Sequence, residues 1–137
     1  MIPTDEAGTK EGMAEKKLPS LLVIDDEVRL TEFVKEALEG IVEVETAQSV
    51  DEADMHLGLR SFDMVLADHL MPGETGLDFL VRTRKHFPEM KRLFITGYIN
   101  PELISRAQNL ADLSGYLIKP VNIAQLRETV QSALDAN

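Results

Sequence analysis

The 137-residue chain contains no cysteine, which excludes both a disulfide and a thiolate metal site. The absence fits a reducing compartment, and a cytoplasmic location is the expectation. No apolar run is long enough to cross a bilayer, and the N-terminus lacks the apolar stretch of a signal peptide. Positive charge is also scarce. Fourteen Lys and Arg stand against 24 Asp and Glu, a net charge of −10. Such an excess repels a phosphate backbone and argues against direct nucleic-acid binding by this segment. Internal repeats and low-complexity tracts are missing. No Gly-rich phosphate loop follows any candidate strand, which removes the main signal of a nucleotide-binding α/β domain.

What is present suits one globular domain with a substantial core: 44% apolar and 28% charged residues. Residues 1–19 mix both charge signs with Gly and Pro and show no period, so they read as a flexible leader to a domain over 20–137. After them, apolar runs alternate with amphipathic stretches. "LLVID" (Leu21–Asp25), "VEVETA" (Val42–Ala47), "FDMVLAD" (Phe62–Asp68), "RLFIT" (Arg92–Thr96) and "GYLIK" (Gly115–Lys119) read as strands. A helix over "VRLTEFVKEAL" stops at Gly40. Ser49 caps a second helix, with Glu52 completing a capping box. "GLDFLVRTRKHF" is a third helix closed by Pro88. Asn100-Pro101-Glu102 opens a fourth, and Asn122 opens the last. Five strand–helix units predict a three-layer (βα)5 fold, an α/β doubly wound parallel sheet.

In such a sheet, function gathers at the carboxyl ends of the strands. Here those ends carry Asp25-Asp26, Asp68, Thr96-Gly97 and Lys119-Pro120. Each has an ordinary alternative. The aspartates could be strand-end turns or caps, Thr96 a β-branched strand residue, and Lys119 a solvated surface lysine. Their coincidence at aligned strand ends favours a shared site. Two unit charges ~4 Å apart cost on the order of 4 kcal/mol at an effective dielectric near 20. A hard divalent cation relieves that repulsion, and all-oxygen ligands favour Mg²⁺ or Mn²⁺. A cation, a lysine and a hydroxyl around one carboxylate suit phosphoryl transfer, with the carboxylate itself as nucleophile. His56, His69 and His86 lie apart and read as surface or satisfied residues.

The segments "VIDDE" (Val23–Glu27), "DHLMPGETG" (Asp68–Gly76), "TG" (Thr96-Gly97) and "YLIKP" (Tyr116–Pro120), in this order, resemble the receiver domain of bacterial two-component response regulators. The resemblance runs from Leu21 to about Ala133. It implies a flavodoxin-like strand order 2-1-3-4-5. It makes Asp68 the phosphoacceptor, reached from a sensor histidine kinase or a phosphotransfer protein. Asp26 would bind Mg²⁺ directly, Asp25 mostly through water, and the Leu70 backbone carbonyl would add a ligand. Thr96 would bond the phosphoryl group, Lys119 would pair with it, and Tyr116 would be the aromatic switch. The output would leave through the face of the fourth helix, fifth strand and fifth helix, toward an output domain, a partner protein or a second copy. No membrane partner is implied. On this reading Asp68 sits exposed so that a donor can approach in line, and Gly76 supplies backbone angles other residues avoid.

Two positions depart from the common polar pattern. Leu70 and Tyr98, each two residues past a site residue, are ill suited to orient water and bear on phosphoryl lifetime. Two rivals remain beside the signalling module. A haloacid-dehalogenase-type aspartyl phosphatase needs Asp-x-Asp with the nucleophile first, whereas Asp25 and Asp26 are adjacent. A receiver-like scaffold that is never phosphorylated would differ only in whether Asp68 is modified. The last predicted helix ends within a few residues of Asn137, so output would come from a partner or from sequence beyond this segment.

Overall fold

The computed structural model describes residues 17–97 and 100–136. Most of the predicted leader, residues 1–16, and the lifetime position Tyr98 lie outside the described residues. The elements in chain order are β1 (Ser20–Ile24), α1 (Val28–Ala37), β2 (Glu43–Ala47), α2 (Val50–Leu59), β3 (Met64–Asp68), α3 (Gly76–His86), β4 (Lys91–Thr96), α4 (Pro101–Ala111), β5 (Gly115–Ile118) and α5 (Ile123–Asp135). All pairings are parallel, and the order is β2-β1-β3-β4-β5. This is the predicted (βα)5 sheet.

Strand alternation builds two cores. Leu21, Val23, Met64, Leu66, Leu93 and Ile95 point to the side covered by α1 and α5, where they meet Val34, Leu38, Leu126 and Val130. Leu22, Ile24, Val65, Ala67 and Phe94 point to the other, covered by α2, α3 and α4. β1 and β3 are buried along their whole length, while the edge strands β2 and β5 are only partly covered. A central parallel strand has no solvent face, which explains its unbroken apolar run. At the amino edge of the sheet, Ser20 and Asp63 lock β1 to β3. The Ser20 amide donates to Asp63 Oδ2 at 2.8 Å, and the Asp63 amide to Ser20 Oγ at 3.1 Å.

Helix ends follow the sequence signals with one change. Asn100 accepts from the Glu102 and Leu103 amides, with Pro101 next in the chain, and Asn122 and Gln125 form a full capping box. Ser49 accepts from the Glu52 amide, but the Glu52 carboxylate reaches the Gln48 amide at 2.8 Å rather than that of Ser49. The far end of α4 was not anticipated. It has no basic residue in its own last turn. Its terminal carbonyls are taken by arginines from neighbouring elements. The buried Arg92 of β4 donates from Nε to the Ala111 carbonyl at 2.6 Å. Arg84 of α3 donates to the Asn109 and Leu110 carbonyls at 3.3 and 3.1 Å.

The loop after β3 is closed by contact rather than by an unusual backbone angle, which corrects the expected role of Gly76. Its φ is not in the left-handed region, unlike those of Gly40 and Gly73, both at +84°. A Cβ at position 76 would lie 2.0 Å from the Asp68 carbonyl oxygen. The Gly76 amide meanwhile donates to the His69 carbonyl at 2.9 Å. The head of α3 therefore sits directly on the backbone of Asp68. Two glycine variants should separate the two roles. Gly76→Ala should lose about 3 kcal/mol by overpacking against backbone that cannot retreat. Gly40→Ala, with open space around it, should lose only the ~1 kcal/mol of a left-handed alanine. Urea unfolding of the two variants at constant slope measures the difference; equal losses would contradict the contact.

Candidate functional site

Register brings the carboxylates together. Ile24 pairs with Ala67, so Asp25 and Asp68 follow as neighbours on adjacent strands, on the same side as Val23 and Leu66. Asp26 comes next in the chain. Oxygens of Asp25, Asp26 and Asp68 all lie within 4.8 Å of one another. On the other side of β3, Thr96 pairs with Ile118 and its carbonyl accepts the Lys119 amide at 2.9 Å. The peptide bond between Lys119 and Pro120 is cis. Lys119 reaches back across β4, and its Nζ lies 3.3 Å from Asp25 Oδ2 and 3.3 Å from Asp68 Oδ1. Of the strand-end residues, Asp25, Asp26, Asp68 and Lys119 meet through their side chains, and Thr96 joins them through its carbonyl.

The environment of Asp68 differs from the expectation. It is buried, with 4% of its surface exposed, and Asp25 is fully buried. Lys119, just past β5, lies against the Asp68 carboxylate. Asp26 is exposed at the mouth of the site. Thr96 is fully buried, and Tyr116 is 42% exposed on β5. Leu70 points its side chain into solvent beside the loop.

Burial dominates the electrostatics. It raises the Asp25 carboxyl to about 6, helped by the nearby Asp68 and opposed by the Glu27 amide and Lys119. Burial likewise raises Asp68, against the pull of Lys119. Burial alone would lower Lys119, but the two carboxylates outweigh it and hold the ammonium above its ordinary value. The pocket thus has more negative charge than one lysine neutralises. Its donors are all oxygen, with no sulfur or ring nitrogen among the described ligating groups, and that chemistry fits a hard divalent cation.

Sequence reasoning missed several neighbours. Glu27 lies 3.5 Å from Lys119 Nζ, and its amide donates to Asp25 Oδ1 at 2.8 Å. The histidines do not share one role. His56 lies 3.9 Å from Glu45, and His86 Nδ1 lies 3.0 Å from the Arg82 carbonyl. His69 is half-buried. Its Nδ1 is buried with no hydrogen-bond partner among the described residues, and its ring packs edge-on against Phe94. As the residue directly after a buried strand end, it is carried inward by the backbone, which neither a lone histidine nor its spacing reveals. The site loop also joins a charged cluster that no motif signals: Glu74 of the loop and Asp54 of α2 share Arg82 of α3.

Comparisons with known proteins agree with this geometry. A family profile described as the response regulator receiver domain matches residues 21–131. The hydrogenase transcriptional regulatory protein HoxA of Cupriavidus necator is 36% identical over 120 residues, 88% of this chain and 25% of that protein. The chemotaxis protein CheY of Pseudomonas aeruginosa is 27% identical over 84% of this chain and 95% of its own length. A CheY-like receiver domain protein from Methanospirillum hungatei superposes with a TM-score of 0.79 at 31% identity, covering 87% of this chain and 95% of that one. CheY4 of Vibrio cholerae gives 0.77 at 28%, over 85% and 99%. The chain spans about a quarter of the length of the HoxA proteins it matches. With the profile covering nearly all the described sheet, and with the strand order and the aspartate–lysine cluster where such a fold places its chemistry, the chain belongs to the response regulator receiver domain family.

Proposed function

We propose that this domain accepts a phosphoryl group on Asp68 from a histidine kinase or a phosphotransfer protein and signals the change to an output domain or partner. The observation that carries the reading is the convergence of three carboxylates within 4.8 Å and one ammonium 3.3 Å from two of them. A cation-free site of this kind has no reason to tolerate so much buried charge, whereas a phosphoryl-transfer site needs it. Asp25, Asp26, Asp68 and the Leu70 carbonyl would hold Mg²⁺, with Mn²⁺ as the alternative. A cation held there would supply charge neutralisation for the phosphoryl oxygens. A carboxylate oxygen of Asp68 forms the new O–P bond while the bond from phosphorus to the donor atom breaks and the donor leaves with its electron pair. Lys119 already lies beside Asp68 and would pair with the phosphoryl oxygens. Thr96, at the next strand end, would offer its hydroxyl and report occupancy to Tyr116, whose exposed ring would turn inward in response. The α4–β5–α5 surface would then change its presentation to the partner. Such a module turns over its own phosphoryl group but no separate substrate.

Three measurements test this reading. Acetyl phosphate should label the wild type only with Mg²⁺ or Mn²⁺ present, and Asp68→Asn should reduce labelling to background. Full labelling of that variant at another residue would remove Asp68 from its role.

The second concerns pH. In metal-free protein the folded state keeps a proton on Asp25 between its ordinary value of 3.8 and about 6, where the unfolded chain has lost it. Asp25 therefore contributes most stability below pH ~4, and that contribution is lost as pH rises through about 6. The stability of wild type minus that of Asp25→Asn, followed by urea unfolding in chelator, should fall across this window. Saturating Mg²⁺ should restore it above pH 6. A difference that rises with pH in chelator would overturn the account.

The third concerns lifetime. An in-line water must be oriented to hydrolyse an aspartyl phosphate, and the Leu70 side chain offers no hydrogen bond. Phosphorylated Leu70→Asn/Tyr98→Glu should decay about tenfold faster than wild type, equivalent to ~1.4 kcal/mol of barrier. Equal or slower decay in the variant would contradict the role given to these positions.

A further inference from the structure

A backbone carbonyl is an awkward metal ligand to position. A side-chain ligand can adjust its rotamer, but a carbonyl goes only where its loop puts it. Mg²⁺ demands near-octahedral geometry at about 2.0–2.1 Å, so a loop that wanders by a few tenths of an ångström loses its place as a ligand. The loop carrying Leu70 therefore needs anchors. Its base is fixed by the contact of Gly76 with the Asp68 backbone. Its middle is pinned by Met71, which is buried in the core under α2, α3 and α4. Its far side carries Glu74, and there a single guanidinium takes over.

Arg82 of α3 donates from Nε to Glu74 Oε2 at 3.1 Å and from Nη2 to Glu74 Oε1 at 2.9 Å. It also donates from Nη1 to Asp54 Oδ1 at 3.1 Å and from Nη2 to Asp54 Oδ2 at 3.2 Å. Its carbon Cζ lies 5.1 Å from the ring centre of the buried Phe79. One planar cation thus joins the site loop, α2 and α3 through two bidentate contacts. Only the arginine fork can serve both carboxylates this way. About a third of the Arg82 side chain is exposed. Pairs of that kind add little to global stability, so fixing the loop is the larger consequence of this one.

We propose that Arg82 is a positioning residue for the cation site, holding the loop that presents the Leu70 carbonyl through its clamp on Glu74 and Asp54. This rests on the reading of Asp25, Asp26, Asp68 and Leu70 as the Mg²⁺ ligands. Charge and geometry make opposite demands here, which makes the proposal testable. If Arg82 acted only as a nearby positive charge, removing it would strengthen cation binding, because Glu74 and Asp54 would be left unneutralised. If it acts by geometry, Arg82→Lys, which keeps the charge but loses the fork, weakens binding.

The experiment is calorimetric titration of Mg²⁺ into wild type, Arg82→Lys and Glu74→Gln, with thermal melts of the metal-free proteins to establish folding. Both variants should bind Mg²⁺ about three- to tenfold more weakly. The Mg²⁺ concentration that half-saturates acetyl phosphate labelling should rise by the same factor. Arg82→Lys/Glu74→Gln should be no weaker than the weaker single variant, because both break the same clamp. Unchanged or tighter Mg²⁺ binding in folded Arg82→Lys would overturn the proposal, as would additive losses in the double variant. If Arg82→Lys does not fold, Glu74→Gln alone decides, with unchanged affinity overturning the clamp. Absence of Mg²⁺ binding by the wild type would instead defeat the cation site itself.

Discussion

The Lys119 ammonium lies between two buried carboxylates, 3.3 Å from an oxygen of each, and the chemistry of the site depends on that arrangement. One positive charge cannot neutralise Asp25, Asp68 and the adjacent Asp26. Burial first, and the neighbouring carboxylates second, raise the affinity of Asp25 and Asp68 for protons. The same lysine that makes the metal-free fold tolerable is placed to meet an incoming anion. Breaking such a pair by removing one partner leaves an uncompensated buried charge, which is far costlier than never having buried it.

The sheet makes this concentration of charge possible. β1 and β3 are covered on both faces, so their carboxyl ends are among the few places where a polar side chain can emerge without disrupting a core. The two cores beneath, one under α1 and α5 and one under α2, α3 and α4, fix the strands tightly enough that neighbouring ends stay in register. Around this rigid centre the loops are held by separate means: a glycine contact after β3, an arginine clamp on its far side, and borrowed arginines at the end of α4.

Most of the architecture was legible in the sequence, because each strand and helix carries its own period. The order of the strands and the convergence of Asp25, Asp26, Asp68, Thr96 and Lys119 followed from the family resemblance and from where each run ends. What was not legible depends on contacts between distant segments. Asp68 looked open because its own neighbourhood gives no hint that the lysine just after β5 reaches over it. Gly76 looked like a turn glycine because spacing cannot show that a carbonyl lies 2.0 Å from its absent Cβ. Arg92 read as the polar start of a strand, yet it is buried and serves a helix end in another layer. Arg82, Glu74 and Asp54 drew no sequence signal, because only their meeting across three elements gives them a role. His69 failed for the reverse reason, since the expectation of a satisfied ring assumed a partner for Nδ1 that the described residues do not provide.

The pairing of Ile24 with Ala67 just before the two aspartates turns strand length into an address. Inserting or deleting one residue between Leu21 and Asp25 would send the carboxylate to the opposite face of the sheet, among the apolar side chains beneath α2 and α3, with its chemistry unchanged and its company lost. The carboxyl rim is thus intolerant of changes in length. The Ser20–Asp63 rim at the other end carries no such demand, because whatever is added upstream of Ser20 leaves the count from there to Asp25 intact. For anyone recombining this domain with others, the amino rim is the natural place to cut and join.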